Sequence, residues 1–191
     1  MNKTSDLSEN SEMIKNYPFE AIENVELKDG SEVTIRPIRP EDAPLLQAGF
    51  SRLSSESIYL RFLETFNQLT DKQARDFSTV DYHKRMALVA EIIEDGQESL
   101  IGVARYAMVE PGVAESAIVV IDEYQSLGLG TILLDRLVKY ARTQGVRAFL
   151  ATVHFTNARI MRFIKRSGFP MQKKMLEPGV WEIRVSIEAQ D

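Results

Sequence analysis

The sequence predicts an α/β fold, with one mixed, mostly antiparallel sheet of about seven strands flanked by helices. Two observations support this prediction. Short apolar stretches of strand type alternate along the chain with segments whose apolar residues recur at helical spacing. The order is one strand, a group of helices, three strands, a helix, a strand, a helix and two strands. Three consecutive strands joined by turns indicate antiparallel pairing, and the later alternation of helix and strand makes the sheet mixed.

Length and composition restrict the classes of protein to which this chain can belong. Its 191 residues suffice for one domain, and 44% hydrophobic against 27% charged residues is typical of a globular protein. No apolar run approaches the ~20 residues of a membrane-spanning helix, and residues 1–15 lack the apolar core of a secretory signal. We therefore expect a cytoplasmic protein without a membrane partner.

Charge and the metal-binding residue types exclude further classes. A net charge of −5 gives no general attraction to nucleic acid, so no nucleic acid is expected as a partner. The chain has no cysteine and only two histidines, which excludes disulfides and a cysteinyl acyl-enzyme and argues against a metal site. We expect metal-free chemistry. A monomer and a homodimer are both compatible with the sequence.

The N-terminal quarter predicts a polar lead-in followed by a strand. Residues 1–24 carry no sustained apolar period and are interpreted as a mobile segment preceding a domain over 25–191. A strand is predicted over 32–38, and Pro37 places it at an edge or marks its end.

Periodicity and turn residues predict the remaining elements. Three helices follow the first strand, opened by Pro40, Ser54 and Thr70. Next come strands over 85–93, 99–109 and 113–121, a helix over 128–143, a strand over 146–153, a helix over 156–167 and strands over 169–175 and 181–187.

A glycine-rich segment between a predicted strand and the strongest predicted helix is a candidate phosphate site. It reads Gln125-Ser126-Leu127-Gly128-Leu129-Gly130-Thr131. Free N–H groups at a helix start, reinforced by the helix dipole, favour a phosphate group. The same glycines could instead make only a tight turn. A Walker loop would need Gly-Lys-Ser/Thr and a dinucleotide fingerprint would need Gly or Ala in place of Leu133, so both are excluded.

With these residues, the sequence resembles the GNAT superfamily of N-acetyltransferases. The family's pyrophosphate loop, Gln/Arg-x-x-Gly-x-Gly/Ala, is matched by Gln125, Gly128 and Gly130. Its later Asn-x-x-Ala/Ile-x-x-Leu/Phe segment and Gly-Phe pair are matched by Asn157, Ile160, Phe163 and Gly168-Phe169. The resemblance covers about 30–190. It implies the GNAT acyl-CoA N-acyltransferase fold, acetyl-CoA as co-substrate and an amine as acceptor.

The resemblance also implies which residues contact acetyl-CoA. In the family, the strand before the loop splays from its neighbour and its main chain pairs with the pantetheine arm, which corresponds here to 118–121. The backbone N–H of Val120 is the implied donor to the reaction's oxyanion. The implied contact residues are Ile118, Val120, Gln125, Ser126, Leu127, Gly128, Leu129, Gly130, Thr131 and Asn157.

Glu115 is the candidate general base. A lysine amine has a pKa near ~10.4, so its neutral form costs about 4 to 5 kcal/mol at pH 7, and a carboxylate beside the cofactor can share that cost. Strand 113–121 leads directly into the loop, and Glu115 matches the glutamate base of the protein lysine acetyltransferases that the chain resembles. Alternatively, Glu115 could be an exposed strand residue paired with Arg105 or Arg85.

The sequence gives fewer clues to the acceptor of the acetyl group and to the acid that protonates the departing thiolate. N-terminal motifs such as Ile35-Arg36-Pro37-Ile38-Arg39-Pro40 resemble the bacterial protein lysine acetyltransferases, which implies a protein lysine as acceptor. Many family members have a tyrosine that protonates the departing thiolate, and the matching residue here is Ile164. A thiol pKa near ~8.5 allows water to serve. A small-molecule amine acetyltransferase and a non-catalytic acyl-CoA-binding module therefore stay open as alternatives.

Overall fold

A single sheet organises the computed structural model, which describes residues 16–188. Its strands are β1 (Glu23–Glu26), β2 (Glu32–Pro37), β3 (Arg85–Glu94), β4 (Gln97–Glu110), β5 (Val113–Val120), β6 (Ala148–His154), β7 (Met171–Glu177) and β8 (Val180–Ser186). They lie in the order β1-β2-β3-β4-β5-β6-β8-β7, and of these neighbouring pairs only β5 and β6 run parallel. The predicted mixed, mostly antiparallel sheet is confirmed, with eight strands in the described residues rather than about seven.

Helices flank this sheet where the sequence predicts them. They are α1 (Ala43–Ser51), α2 (Ser55–Phe62), α3 (Asp71–Ser78), α4 (Leu129–Thr143) and α5 (Ala158–Arg166). The side chains of Ser54 and Thr70 cap α2 and α3 by accepting hydrogen bonds from backbone N–H groups in the first turn. Within residues 16–188, no helix is both long and apolar enough to cross a membrane.

The start of the domain differs from the prediction. β1, which the sequence analysis missed, is mostly exposed and therefore shows no apolar alternation. Tyr17 is buried, and its hydroxyl donates to the carbonyl of Pro37 at 2.9 Å. Residues 17–26 therefore contact or pair with β2, which places the start of the described fold before residue 24. The rest of the predicted mobile segment, residues 1–15, lies outside the described residues.

The two faces of β4 are covered by different helices. A Cβ atom on Gly102 would lie 3.1 Å from Cδ1 of Leu133, so α4 packs tightly on this face of the strand. Arg105 points to the opposite face, where its guanidinium carbon lies 4.8 Å from the ring centroid of Phe77 in α3. The cross-strand partners of β4 put Glu115 of β5 on the same face as Arg105.

Candidate active site

Strands β5 and β6 separate part-way along the sheet. Three residue pairs join them, and the last pair is Glu115 with Leu150. Residues 116–120 of β5 pair only with β4. A cleft of about 490 Å³ opens there, lined by residues from α2, β4, β5, β6, α4 and α5. The splayed strand implied by the family resemblance is therefore present.

The open half of β5 directs backbone groups into the gap beyond its last pair with β6. Ile121 N donates to Ile101 O at 2.9 Å, and in an antiparallel pair the hydrogen-bonded residues alternate. Ile118 and Val120 consequently direct their N–H and C=O groups away from β4. The Val120 carbonyl accepts from Nε2 of Gln125 at 2.9 Å, which leaves the Val120 N–H facing the gap. The backbone orientation that the predicted roles of these residues require is thus present.

The loop after β5 forms a concave set of backbone donors. Ser126 and Gly128 adopt φ angles of 69° and 98°, a conformation that L side chains rarely adopt and that glycine tolerates. The backbone N–H groups of 126–130 have no acceptor in residues 16–188, whereas those of Thr131 and Ile132 donate to the Gly128 carbonyl. Unpaired N–H groups at the start of α4 suit an anionic group such as a pyrophosphate.

Two further side chains support the loop. Nε2 of Gln125 also lies 3.3 Å from Oγ of Ser57, so this residue fixes the loop against α2 as well as β5. Lys28, in the turn between β1 and β2, donates its backbone N–H to the Leu127 carbonyl at 3.2 Å. Cε of Lys28 lies 3.6 Å from the position of a Cβ on Gly128. Lys28 was not predicted at this loop, because it lies in a turn 100 residues before Gly128 in the sequence.

Helix α2 is tied to the end of β5 by Asp122. Its carboxylate accepts from the backbone N–H of Ser54 at 3.0 Å and from the hydroxyls of Ser54 and Ser57 at 2.8 and 2.9 Å. Partial burial favours the neutral acid, but these hydrogen bonds outweigh it and lower the pKa of Asp122. The contacts hold α2, and with it Arg61, over the cleft.

Residues of α5 complete the opposite wall. Oδ1 of Asn157 accepts from the Ile160 N–H at 3.0 Å and caps α5, while its Nδ2 has no acceptor in the described part of the chain. Ile164 is buried and lines the cleft, so the position of the family's tyrosine offers no proton. Tyr124 donates its hydroxyl to Glu94 and is not among the lining residues.

Glu115 lines the cleft where β5 and β6 separate. Its side chain is exposed and has no ion pair or hydrogen bond with any residue from 16 to 188. Arg85 lies beside Asp81 instead, with 3.8 Å between Nε and Oδ2, and Arg105 stacks on Phe77. The alternative pairing of Glu115 with either arginine is therefore wrong, and its carboxylate is free to accept a proton.

The predicted site residues comprise backbone donors and one carboxylate, Glu115. In the described residues, no group of three or more histidine, aspartate or glutamate side chains could hold a metal ion. The phosphate loop and Glu115 lie at opposite ends of the open half of β5. Ten residues separate Glu115 from Gln125, so a ligand bound to the loop can extend along β5 towards the carboxylate.

Comparison with known proteins agrees with this geometry. Residues 54–169 match the model of the acetyltransferase (GNAT) family. An acetyltransferase of Pseudomonas aeruginosa is 33% identical over 148 residues, which are 77% of this chain and 80% of the relative. The family match over residues 54–169 includes the loop, the splayed strands β5 and β6, and α5.

Proteins named Pat also resemble the chain. The acetyltransferase Pat of Mycolicibacterium smegmatis is 30% identical over 148 residues, or 75% of this chain, which spans only 43% of that longer protein. The crystal structure of the GNAT domain of S. lividans PAT superposes with a TM-score of 0.80 at 29% identity, covering 89% of this chain and 99% of that domain. The chain therefore belongs to the GNAT family and is an acetyl-CoA-dependent N-acetyltransferase.

Proposed function

We propose that this protein acetylates a primary amine, with a protein lysine as the acceptor, by direct attack in a ternary complex. The observation that carries the proposal is the unpaired carboxylate of Glu115 beside the open backbone of β5. When bound, acetyl-CoA supplies the activated acetyl group. The absence of cysteine from the whole chain agrees with direct transfer to the amine.

The residues present fit acetyl-CoA. The N–H groups of 126–130 and the Lys28 ammonium would hold its pyrophosphate. The outward-facing groups of Ile118 and Val120 would pair with the pantetheine amides. The free Nδ2 of Asn157 is available for a further hydrogen bond from the α5 wall.

Two chain groups then act on the reaction. Glu115 takes a proton from the amine, directly or through water, so that the nitrogen lone pair can attack. The Val120 N–H donates to the acetyl oxygen as negative charge develops there. As the new C–N bond forms, the thioester C–S bond breaks and the CoA thiolate leaves. Water protonates this thiolate, because Ile164 cannot and a thiol of pKa near ~8.5 needs no strong acid.

The choice of a protein lysine rests on the N-terminal motifs and on similarity to proteins named Pat. A small-molecule amine would use the same two groups. The third alternative, a binding module without activity, is supported by Ile164 alone and disagrees with the family assignment.

One assay separates these functions. The protein is incubated with acetyl-CoA and a panel of lysine peptides and small amines, and the release of free thiol is followed. We expect release with lysine peptides, and tight acetyl-CoA binding without release on any acceptor would contradict catalysis.

The Glu115→Gln variant tests the base. We expect its kcat at pH 7 to fall about 100-fold or more, because the proton acceptor is lost. The dissociation constant for acetyl-CoA should not change, since Glu115 lies at the far end of the cleft from the loop. Unchanged turnover between pH 6 and 9 would remove Glu115 from this role.

A further inference from the structure

Two arginines share the cleft with Glu115. Arg61 projects from α2 and Arg105 from β4, and both line the cleft. Their guanidinium carbons lie 4.6 Å from the Phe62 ring centroid and 4.8 Å from the Phe77 ring centroid, respectively. Aromatic contacts at these distances hold the two side chains in place.

Neither arginine has an acidic partner. In the chain from 16 to 188, no hydrogen bond or ion pair involves either guanidinium. Both side chains are partly buried. Every fully buried side-chain nitrogen in the described residues has a hydrogen-bond partner, so the unpaired nitrogens of these two arginines are not fully buried. The unpaired N–H groups of Arg61 and Arg105 are therefore accessible to solvent, and both side chains line the cleft.

This arrangement costs free energy in the unliganded protein. Loss of hydration and repulsion from Arg105 lower the pKa of Arg61 to about 10. The same loss of hydration, together with Arg85, lowers the pKa of Arg105 to about 10. Both guanidiniums stay protonated at neutral pH, so the cleft holds two positive charges, and no carboxylate of the described residues forms an ion pair with either.

Arg105 lies close to Glu115 on the sheet, so a ligand bound to Arg105 would also lie near Glu115. Arg105 lies opposite Ala117 and Glu115 lies opposite Ala107 in the β4–β5 pairing. The two residues are thus diagonal neighbours on one face of the sheet, with about 7 Å between their Cα atoms. Arg105 lies opposite Ala117, eight positions before the loop begins at Gln125, and Arg61 is close enough to Arg105 for the two charges to repel each other.

We propose that Arg61 and Arg105 form a carboxylate-binding subsite, and that the acceptor carries a carboxylate close to the amine that is acetylated. The inference rests on the proposed function, because it assigns Glu115 to the amine. The planar, forked donors of a guanidinium match a carboxylate in bidentate geometry. The carboxylate can come from a free amino acid or from an acidic residue beside a lysine in a polypeptide.

Matched acceptors test this subsite and distinguish the two sources. One arm compares the set of L-amino acids with their carboxamides. The other compares the peptides Ala-Glu-Lys-Ala and Ala-Gln-Lys-Ala, both blocked at their termini. For each pair we measure kcat/KM with acetyl-CoA, and the acceptor's dissociation constant by calorimetry with CoA present. We expect the carboxylate member of at least one arm to bind at least tenfold more tightly than its amide.

Arg61→Gln and Arg105→Gln locate the effect. Each should weaken binding of the preferred carboxylate acceptor about 10- to 100-fold, the range for losing a hydrogen bond to a charged group. The same variants should leave the amide's affinity and the KM for acetyl-CoA unchanged, which a general loss of structure would not. Arg85→Gln, in β3 on the same sheet face but outside the cleft lining, is the matched control, and it should weaken binding of the carboxylate acceptor by much less than either cleft variant.

Two outcomes would overturn the subsite. One is equal binding of carboxylate and amide members in both arms. The other is an equal loss of affinity for both members in the arginine variants. If carboxylates bind preferentially but no acceptor releases thiol, the subsite stands and the proposed catalysis fails.

Discussion

Arg36 is buried among carboxylates. The cleft arginines Arg61 and Arg105, by contrast, have no carboxylate partner among residues 16–188. Arg36 is 2% exposed and donates to both oxygens of Asp42, at 2.7 and 2.8 Å, and to Glu91 at 2.6 Å. Burial alone would lower its pKa, but these hydrogen bonds raise the pKa of Arg36. The pKa values of Arg61 and Arg105 are lowered instead, because loss of hydration has no carboxylate to offset it.

The difference separates a cluster that stabilises the fold from one that is open to a ligand. The Arg36 cluster joins β2 and β3 to the turn that begins α1, and its groups satisfy each other. In the cleft, two cations face solvent-accessible space with Glu115 as a free carboxylate on the same face. The two regions differ mainly in whether each charge has an oppositely charged partner within the protein, and less in how deeply the charge is buried.

The largest effect is expected from breaking the Arg36 cluster. Asp42→Ala should lower the free energy of unfolding by about 3–5 kcal/mol, because it leaves the buried Arg36 charge with only Glu91. Urea denaturation measures this change. Asp76→Ala is the control, since Asp76 pairs with Lys72 on the surface, and it should cost less than ~1 kcal/mol. Equal costs for the two variants would refute the distinction.

An intermediate effect is expected at the half-exposed pair of Arg52 and Glu94. Hydrogen bonds from Arg52 and Tyr124 lower the pKa of Glu94 to about 2. A depressed carboxyl pKa stabilises the fold above the unfolded value of ~4.3, and that contribution is lost as pH falls towards 2. Solvent screening limits it to roughly 1 kcal/mol.

Glu94→Gln tests this pH dependence. The variant should be less stable than the parent at pH 7, and the difference should shrink as the pH falls from about 4.5 to 2. Thermal unfolding followed across this range measures it. A difference that stays constant with pH would show that the carboxylate charge does not contribute.

The smallest effect is expected in the cleft, and it has the opposite sign. Arg105→Met should raise the free energy of unfolding by up to about 1 kcal/mol, because an unpaired, poorly hydrated cation is replaced by an apolar side chain of similar length. The melting temperature of the unliganded protein measures this. A clear fall in melting temperature would mean that Arg105 stabilises the fold.

Local patterns predicted most of the fold and the loop. The cap at Ser54, the meander of β3 to β5 and the glycine loop before α4 each depend on residues close together in the chain. β1 was missed because an exposed edge strand shows no apolar alternation. Lys28 was missed because it reaches Gly128 from a turn 100 residues earlier in the chain.

By itself, the sequence determined the α/β class, the order of the elements other than β1, and the glycine-rich turn before α4, since φ preferences and apolar periodicity are local properties. Only the tertiary structure decided which charges pair. Arg36 finds Glu91 across 55 residues, whereas Arg105 lies on the same sheet face as Glu115 and does not pair with it. Charge pairing depends on distances through space between side chains brought together by packing, and no local pattern in the chain encodes those distances.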